Sequence, residues 1–247
     1  AELQDLARDA VRRWYPALRD VPQRWVLIDA APRILADIPR KLGEYTHREL
    51  AGRGVEIEVE TTLTSFDGDE AVLSTGARIA ARTLVWVAGV RPSPSLRSLD
   101  LPPPDERGRV IVEPTLRVAG TDAIWALGDC AAVPNAKTPG VLDPPTCQHA
   151  LRQARRLAHN LAGDPRPYGY RMLGQVATLG RYKGIAEIPG LRLRGFLGWF
   201  VARSYHLYAL PTFRRRIRVV TDWTVALFFR RDIVELSSLG HPKDLDP

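Results

Sequence analysis

Cysteine is almost missing from this chain: it occurs twice in 247 residues, as Cys130 and Cys147. Two cysteines cannot build a disulfide framework. Neither lies in C-x-x-C spacing or beside a histidine pair, so no metal site is expected. A reducing compartment is the default. No run of 18 apolar residues occurs, so no spanning helix is expected. Ala1–Pro16 is charged and amphipathic and lacks the apolar centre of a secretory leader. Internal repeats and low-complexity tracts are absent. So is the glycine-rich turn G-x-G-x-x-G that cradles a dinucleotide's pyrophosphate. The histidines, His47, His149, His159, His206 and His241, are scattered, and none shows the i, i+4 spacing of a metal pair. None is assigned a catalytic role.

What remains is ordinary for a globular protein, with 45% apolar and 26% charged residues. The length suits one large domain or two modest ones. The net charge of +7 is unevenly spread: residues 190–247 hold 10 basic and 5 acidic groups. Within 190–231, nine arginines face one acid, Asp222, and Arg214, Arg215, Arg216 and Arg218 are the densest cluster. Such asymmetry points to an anionic partner, a membrane surface or a nucleic acid.

Helical periodicity covers Glu2–Trp14 and Arg40–Arg53, the second closed by Gly54. Trp25–Asp29 reads as a strand, as does the alternating Val55–Thr62, and a turn follows at Phe66–Gly68. Ala71–Ser74 and Arg78–Ala80 form a hairpin through Thr75–Gly76. Thr83–Ala88 is an apolar strand ending in Gly89. Pro92–Arg107 reads as a linker, Val110–Val112 as a strand, and Ala123–Leu127 as a buried strand ending in Gly128–Asp129. A helix follows from Pro144 and Pro145 to Ala162, then a second linker, Gly163–Gly169. Tyr170–Ile188 reads as two or three short strands. The order describes an α/β nucleotide-binding arrangement with a β-meander.

The chemistry is concentrated at strand ends. Gly128–Asp129 in TDAIWALGDCAA, followed by the helix start PPTCQHALRQ, suits a bound dinucleotide. Glycine allows close backbone approach, aspartate accepts hydrogen bonds from cofactor hydroxyls, and a helix start offers free N–H donors. The bland alternative is an ordinary Gly-Asp turn. Asp29 ends WVLID before AAPRIL; it either meets a ligand or caps the next turn. Gly89 in WVAGVRP is a strand exit open to a ligand or a plain turn. Cys130 and Cys147 read as small packing residues. In the tail, Gly195–Leu210 and Ile217–Phe229 mix aromatics with flanking arginines. This suits a headgroup interface better than a phosphate groove, so nucleic acid is not expected. The alternative is a dimerising or core-packing helix pair.

Together these strings resemble the type II NADH:quinone oxidoreductases, within the flavoprotein reductases built from two dinucleotide-binding domains. The resemblance runs over nearly the whole chain. It implies an α/β fold: a Rossmann-like NADH domain, the second part of an FAD domain, and a C-terminal amphipathic helical membrane anchor. It divides the chain into 1–98 for NADH, 99–165 for FAD, and 166–247 for a small strand region and anchor. It explains the missing G-x-G-x-x-G: the chain begins just after the NADH phosphate loop and lacks the first FAD half, so it reads as the C-terminal portion of a longer protein.

The resemblance also implies roles. Asp29 would bind the adenosine ribose of NADH and repel a 2′-phosphate. Gly89 would approach the cofactors, and Asp129 would bind an FAD ribityl hydroxyl next to Gly128. Thr146, Cys147 and Gln148 would open a helix beside the flavin ring, with the helix dipole favouring negative charge there. Gln148 would reach the quinone. The family often has a second glutamine four residues on, where this chain has Arg152, which could donate to a quinone oxygen. Hydride would pass from NADH to FAD and two electrons on to a quinone, without proton pumping or a protein acid or base. The protein would sit peripherally on the cytoplasmic face of the cell membrane, against an anionic surface; a homodimer is left open. The rivals are another flavin-dependent quinone reductase, such as a sulfide:quinone reductase with paired cysteines, and a non-catalytic basic interaction module.

Overall fold

A computed structural model describes residues 1–229, which fall into two compact units: residues 1–82 with the chain from Gly174 onward, and Thr83–Leu173.

The first unit opens on α1 (Glu2–Trp14) and then a parallel strand pair, β1 (Trp25–Ile28) and β2 (Val55–Glu58), joined through α2 (Arg40–Ala51). Trp25 lies opposite Val55 and Ile28 opposite Glu58. A parallel pair needs a crossover of this length, and α2 supplies it. Its apolar stripe carries Leu42 and Leu50 inward. Arg53, just past α2, ties back to α1: it pairs with Asp5 and donates to Gln4 Oε1 at 2.9 Å. An antiparallel meander follows, β3 (Leu63–Phe66), β4 (Glu70–Leu73) and β5 (Arg78–Ala80). Asp67 Oδ1 builds the first turn by accepting Asp69 N–H at 3.0 Å and Glu70 N–H at 2.7 Å.

Later in the chain the same unit adds β8 (Gln175–Thr178), β9 (Gly184–Ile188) and β10 (Leu191–Arg194), again antiparallel. Helix α4 (Gly195–Ala209) lies directly on β9. A Cβ built on Gly198 would stand 2.5 Å from Gly184 O, and one on Gly184 would stand 2.8 Å from the Trp199 Cα. Only glycine permits backbones this close. Ile38, Leu42, Leu179 and Ile185 form the core between α2 and this sheet. Helix α5 (Phe213–Phe228) begins at a Thr212 cap and meets α4 where Arg203 lies over the rings of Trp199 and Trp223, at 4.9 and 4.1 Å.

The second unit is built around β6 (Val110–Ile111) and β7 (Ala131–Ala132), a short parallel pair, with α3 (Cys147–Ala162). Its core joins Val110, Val112, Leu116, Val118, Ala131 and Val133 to Tyr168.

Several sequence expectations are corrected. Thr83–Ala88 is not a strand; its residues are exposed, Val87 to 85%. An apolar run becomes a strand only where a neighbour completes its ladder, and the described residues offer none. Ala123–Leu127 is not a buried strand either: it makes one bridge, Arg117 to Trp125, and is half-buried or exposed. The second strand ends at Glu58, and Phe66, read as the first residue of a turn, is the last of β3. Helix α2 stops at Ala51, before Arg53. The presumed linker Gly163–Gly169 contains the core residue Tyr168, 2% exposed, whose N–H donates to Pro114 O at 2.7 Å. Both tail helices form, and α5 starts early enough to include Arg214, Arg215 and Arg216. Arg230 and Arg231 of the basic tail lie outside the described residues. No helix among the described residues is long and apolar enough to cross a membrane.

Candidate functional site

In the second unit the Gly-Asp pair and the start of α3 come together. Gly128 has φ +72°, the left-handed region that favours glycine, at the head of a one-turn 3₁₀ helix, Gly128–Cys130. Asp129 is exposed. Thr146 caps α3, its Oγ1 accepting His149 N–H at 3.4 Å, so the N–H groups of Cys147 and Gln148 stay outside the helix's own ladder. Gly128, Asp129, Pro145, Thr146 and Ala150 line one concavity, and Arg109 joins them. Arg109 is held by Asp105 through Nε and Nη2, both at 2.8 Å. Burial pushes the Asp105 carboxyl up, but hydrogen bonds from the Arg109 backbone and side chain, the Arg109 charge and the Arg107 N–H outweigh it. The pKa lies below the usual carboxylate value.

Beneath this concavity lies a buried polar network. The Asp143 carboxylate receives Asn135 Nδ2 at 2.7 Å and Gln153 Nε2 at 2.9 Å, and meets His149 Nδ1 at 2.6 Å. The Tyr168 hydroxyl lies 3.0 Å from the same histidine nitrogen and is bonded to Asp143. Burial first, then the charge and hydrogen bond of Asp143, raise the Tyr168 phenol well above its ordinary pKa. No buried side-chain polar atom among the described residues lacks a partner. A carboxylate this deep persists only with its lone pairs satisfied. Gln153 carries the network to the surface: its Oε1 accepts Gly128 N–H at 2.7 Å.

Gln148 and Arg152 are brought together as their spacing on one helix face implies. Arg152 Nη1 donates to Gln148 O at 3.4 Å, and its guanidinium lies 4.7 Å from the centre of the Tyr170 ring. Gln148 Oε1 accepts Tyr170 Oη–H at 3.0 Å and Leu173 N–H at 3.3 Å.

The cysteines differ from expectation. Cys147, read as a packing residue, is exposed, because the first position of α3 points it outward. Cys130 is half-buried, its thiol donating to Leu127 O at 3.3 Å. Gly89 has φ +70°, with open space where a Cβ would stand.

In the first unit, Asp29 follows β1 directly and caps the next turn, its Oδ1 accepting Ala31 N–H at 2.9 Å. The AAPRIL string that follows is stapled by Arg33, whose guanidinium donates to Leu35 O at 2.9 Å and to Ala36 O. Ile34 and Ile38 are buried.

Sequence reasoning passed over Arg109, Asn135, Asp143, His149, Gln153, Tyr168 and Tyr170. Their spacing carries no period, since they converge from separate loops and one helix. One signal was there: Gln153 stands next to the position where a second glutamine was sought.

The residues around Gly128 suit a dinucleotide: a left-handed glycine, an exposed carboxylate, a Thr-capped helix start and an arginine fixed by Asp105. Known proteins resemble this chain over most of its length. The mitochondrial internal alternative NAD(P)H-ubiquinone oxidoreductase A1 of Arabidopsis thaliana is 31% identical, over 94% of this chain and 49% of its own. A type II NADH:quinone oxidoreductase of Mycobacterium tuberculosis is 30% identical, over 93% and 51%. The chain thus spans about half the length of the curated relatives it matches. The solved structure of NDH2 from Plasmodium falciparum in complex with NADH shares the fold, with a TM-score of 0.83 at 13% identity, over 94% of this chain and 64% of that one. The profile of the pyridine nucleotide-disulphide oxidoreductases matches residues 16–154, and the chain belongs to that family.

Proposed function

We propose that this chain is a portion, inactive by itself, of an FAD-dependent NADH:quinone oxidoreductase that moves a hydride from NADH to the flavin and two electrons on to a quinone. The observation that carries the reading is the shared concavity of Gly128, Asp129, Thr146 and Arg109. Bound FAD supplies the redox chemistry there. Asp129 would hold a cofactor hydroxyl, Arg109 and the α3 start would meet its negative groups, and Gly128 would leave its backbone room. Thr146 and Cys147 set the helix start, while Gln148 and Arg152 offer N–H donors to a quinone oxygen. Asp29 and Gly89 serve NADH. Function divides along the chain as 1–98 for NADH, 99–165 for FAD and 166–247 for membrane attachment.

Attachment is peripheral and on the cytoplasmic face. It is supported by exposed Phe196, Leu197 and Phe200 on α4 and Phe213 and Ile217 on α5, beside arginines. A homodimer through the same face is the competing outcome.

The test is anaerobic stopped-flow absorbance on the whole, flavin-loaded protein. NADH should bleach the flavin bands and a quinone restore them. A purified protein without flavin, or one that NADH does not bleach, overturns the reading.

A further inference from the structure

We infer that the groove between residues 32–34 and one face of α2 is a second ligand site in the first unit, for a phosphate-bearing small molecule other than the nicotinamide nucleotide. The inference does not depend on the electron relay proposed above.

The groove has a volume of about 470 Å³, within the range of roughly 300–1,000 Å³ common for small-molecule sites. Its helical wall follows from spacing. Arg40, Gly43, Glu44, His47 and Arg48 stand at i, i+3, i+4, i+7 and i+8, so they share one face of α2 and line the groove together. Leu42, Thr46 and Leu50 are turned elsewhere and are buried.

Arg33 is the fixed cation of the opposite wall. Its guanidinium donates to Leu35 O at 2.9 Å and to Ala36 O, which uses two of its five N–H donors. Gly43 makes room for it: a Cβ there would stand 3.0 Å from Arg33 Nη1 and 3.3 Å from Ile34 O. Glycine inside a helix is destabilising, and here it lets the guanidinium lie against α2. The two carbonyls orient the charge and do not cancel it. Among the described residues no carboxylate pairs with Arg33, His47 or Arg48. Glu44, the acid that lines the groove, is matched by Arg40 at 2.8 Å.

A half-buried guanidinium without a counter-charge thus stands across from two exposed basic side chains. A cation withdrawn from water calls for an anion. A phosphate group carries up to about two negative charges at neutral pH, and its oxygens suit the planar fork of arginine. Pro32 and Ile34 add apolar surface for the body of the molecule. Asp29 does not line this groove, and its carboxylate is bonded to Ala31 N–H. The nucleotide assigned to Asp29 is therefore a different occupant.

The experiment is calorimetric titration of phenyl phosphate into the whole, flavin-loaded protein at fixed ionic strength, with and without saturating NAD+. One site should be filled, NAD+ should leave it filled, and phenol should not bind. Arg48→Glu should weaken the Kd about ten- to hundredfold, as for the loss of a charge-assisted hydrogen bond. Arg33→Met should do the same, and Gly43→Ala should weaken binding by displacing the guanidinium. Arg82→Glu changes the net charge equally at an exposed position outside the groove, and should leave the Kd unchanged. A misfolded Arg33→Met leaves the comparison of Arg48→Glu with Arg82→Glu intact. No binding, or binding that Arg48→Glu does not weaken, would overturn the inference. So would equal weakening by Arg48→Glu and Arg82→Glu, which marks a general charge effect, or displacement by NAD+, which marks the groove as part of the nucleotide site.

Discussion

Gln153 Oε1 accepts the backbone N–H of Gly128 at 2.7 Å, while its Nε2 donates to the buried Asp143 carboxylate. One amide thus couples the left-handed glycine of the concavity to the buried polar network beneath it. Gln153→Leu should strand a donor on Gly128 and remove one from Asp143, destabilising the protein by about 1–3 kcal/mol. Gln153→Glu should be worse, since it faces one carboxylate with another. Chemical denaturation measures both; a leucine variant as stable as wild type would refute the coupling.

Asp129→Ala should weaken flavin retention, by about 1.5–3 kcal/mol for a lost charge-assisted hydrogen bond. Asp129 is exposed, so the substitution removes no core contact. Equilibrium dialysis of the purified variant reads the affinity; an unchanged value would remove Asp129 from the site.

Asp29 should favour NADH over NADPH by repelling a 2′-phosphate. Asp29→Ser keeps a hydroxyl to cap Ala31 N–H, so the turn should survive. Combined with a nearby added arginine, it should raise kcat/KM for NADPH. Equal use of both nucleotides by the wild type would contradict the assignment.

Two titrations bound the pH range of the second unit. The folded pKa of Asp105 is depressed, so its contribution is present above its unfolded value near pH 3.8 and is lost as pH falls through the lower folded value. The folded pKa of Tyr168 is raised, so its contribution is complete below the unfolded value of 10.0 and is lost as pH rises through the higher folded one. Phenolate absorbance should show a late-titrating fraction, and Tyr168→Phe should reduce it, leaving the part due to Tyr45, which burial and Glu49 also raise. The stability deficit of Asp105→Asn should shrink in acid.

Liposome flotation tests the tail. Of the basic side chains there, Arg194 lies over Tyr45, Arg203 over two tryptophans, and Arg216 over Tyr208 with a hydrogen bond to Leu210 O. Fewer charges than the sequence counts therefore face a lipid surface, and aromatic burial should carry more of the binding. Anionic vesicles should float the protein, and salt should release it only partly. Failure to float with anionic and neutral vesicles alike would favour the dimer face.

Local pattern made much of this legible. The periods of α1, α2 and α3, the β4–β5 hairpin and the Thr146 start of α3 depend on neighbours a few residues apart. Thr83–Ala88 misled because apolar content says nothing about whether a ladder partner is present. The network around Asp143 was hidden for a different reason. His149 looks isolated in sequence, yet its partners at 143 and 168 reach it through loops. Gln153 lies five residues beyond Gln148, about 140° further round the helix, and so turns inward to Gly128 while Gln148 faces Tyr170.

The backbone seam of Gly184 and Gly198 has a mechanical consequence. With no side chain between them, α4 has nothing to slide or pivot on, so its aromatic row is set in one attitude to the β8–β9–β10 sheet. Whatever surface that row settles on must then align the sheet as well, much as a keel sets the heading of a hull. Even a methyl group at either glycine would loosen the keel while leaving the aromatics themselves intact.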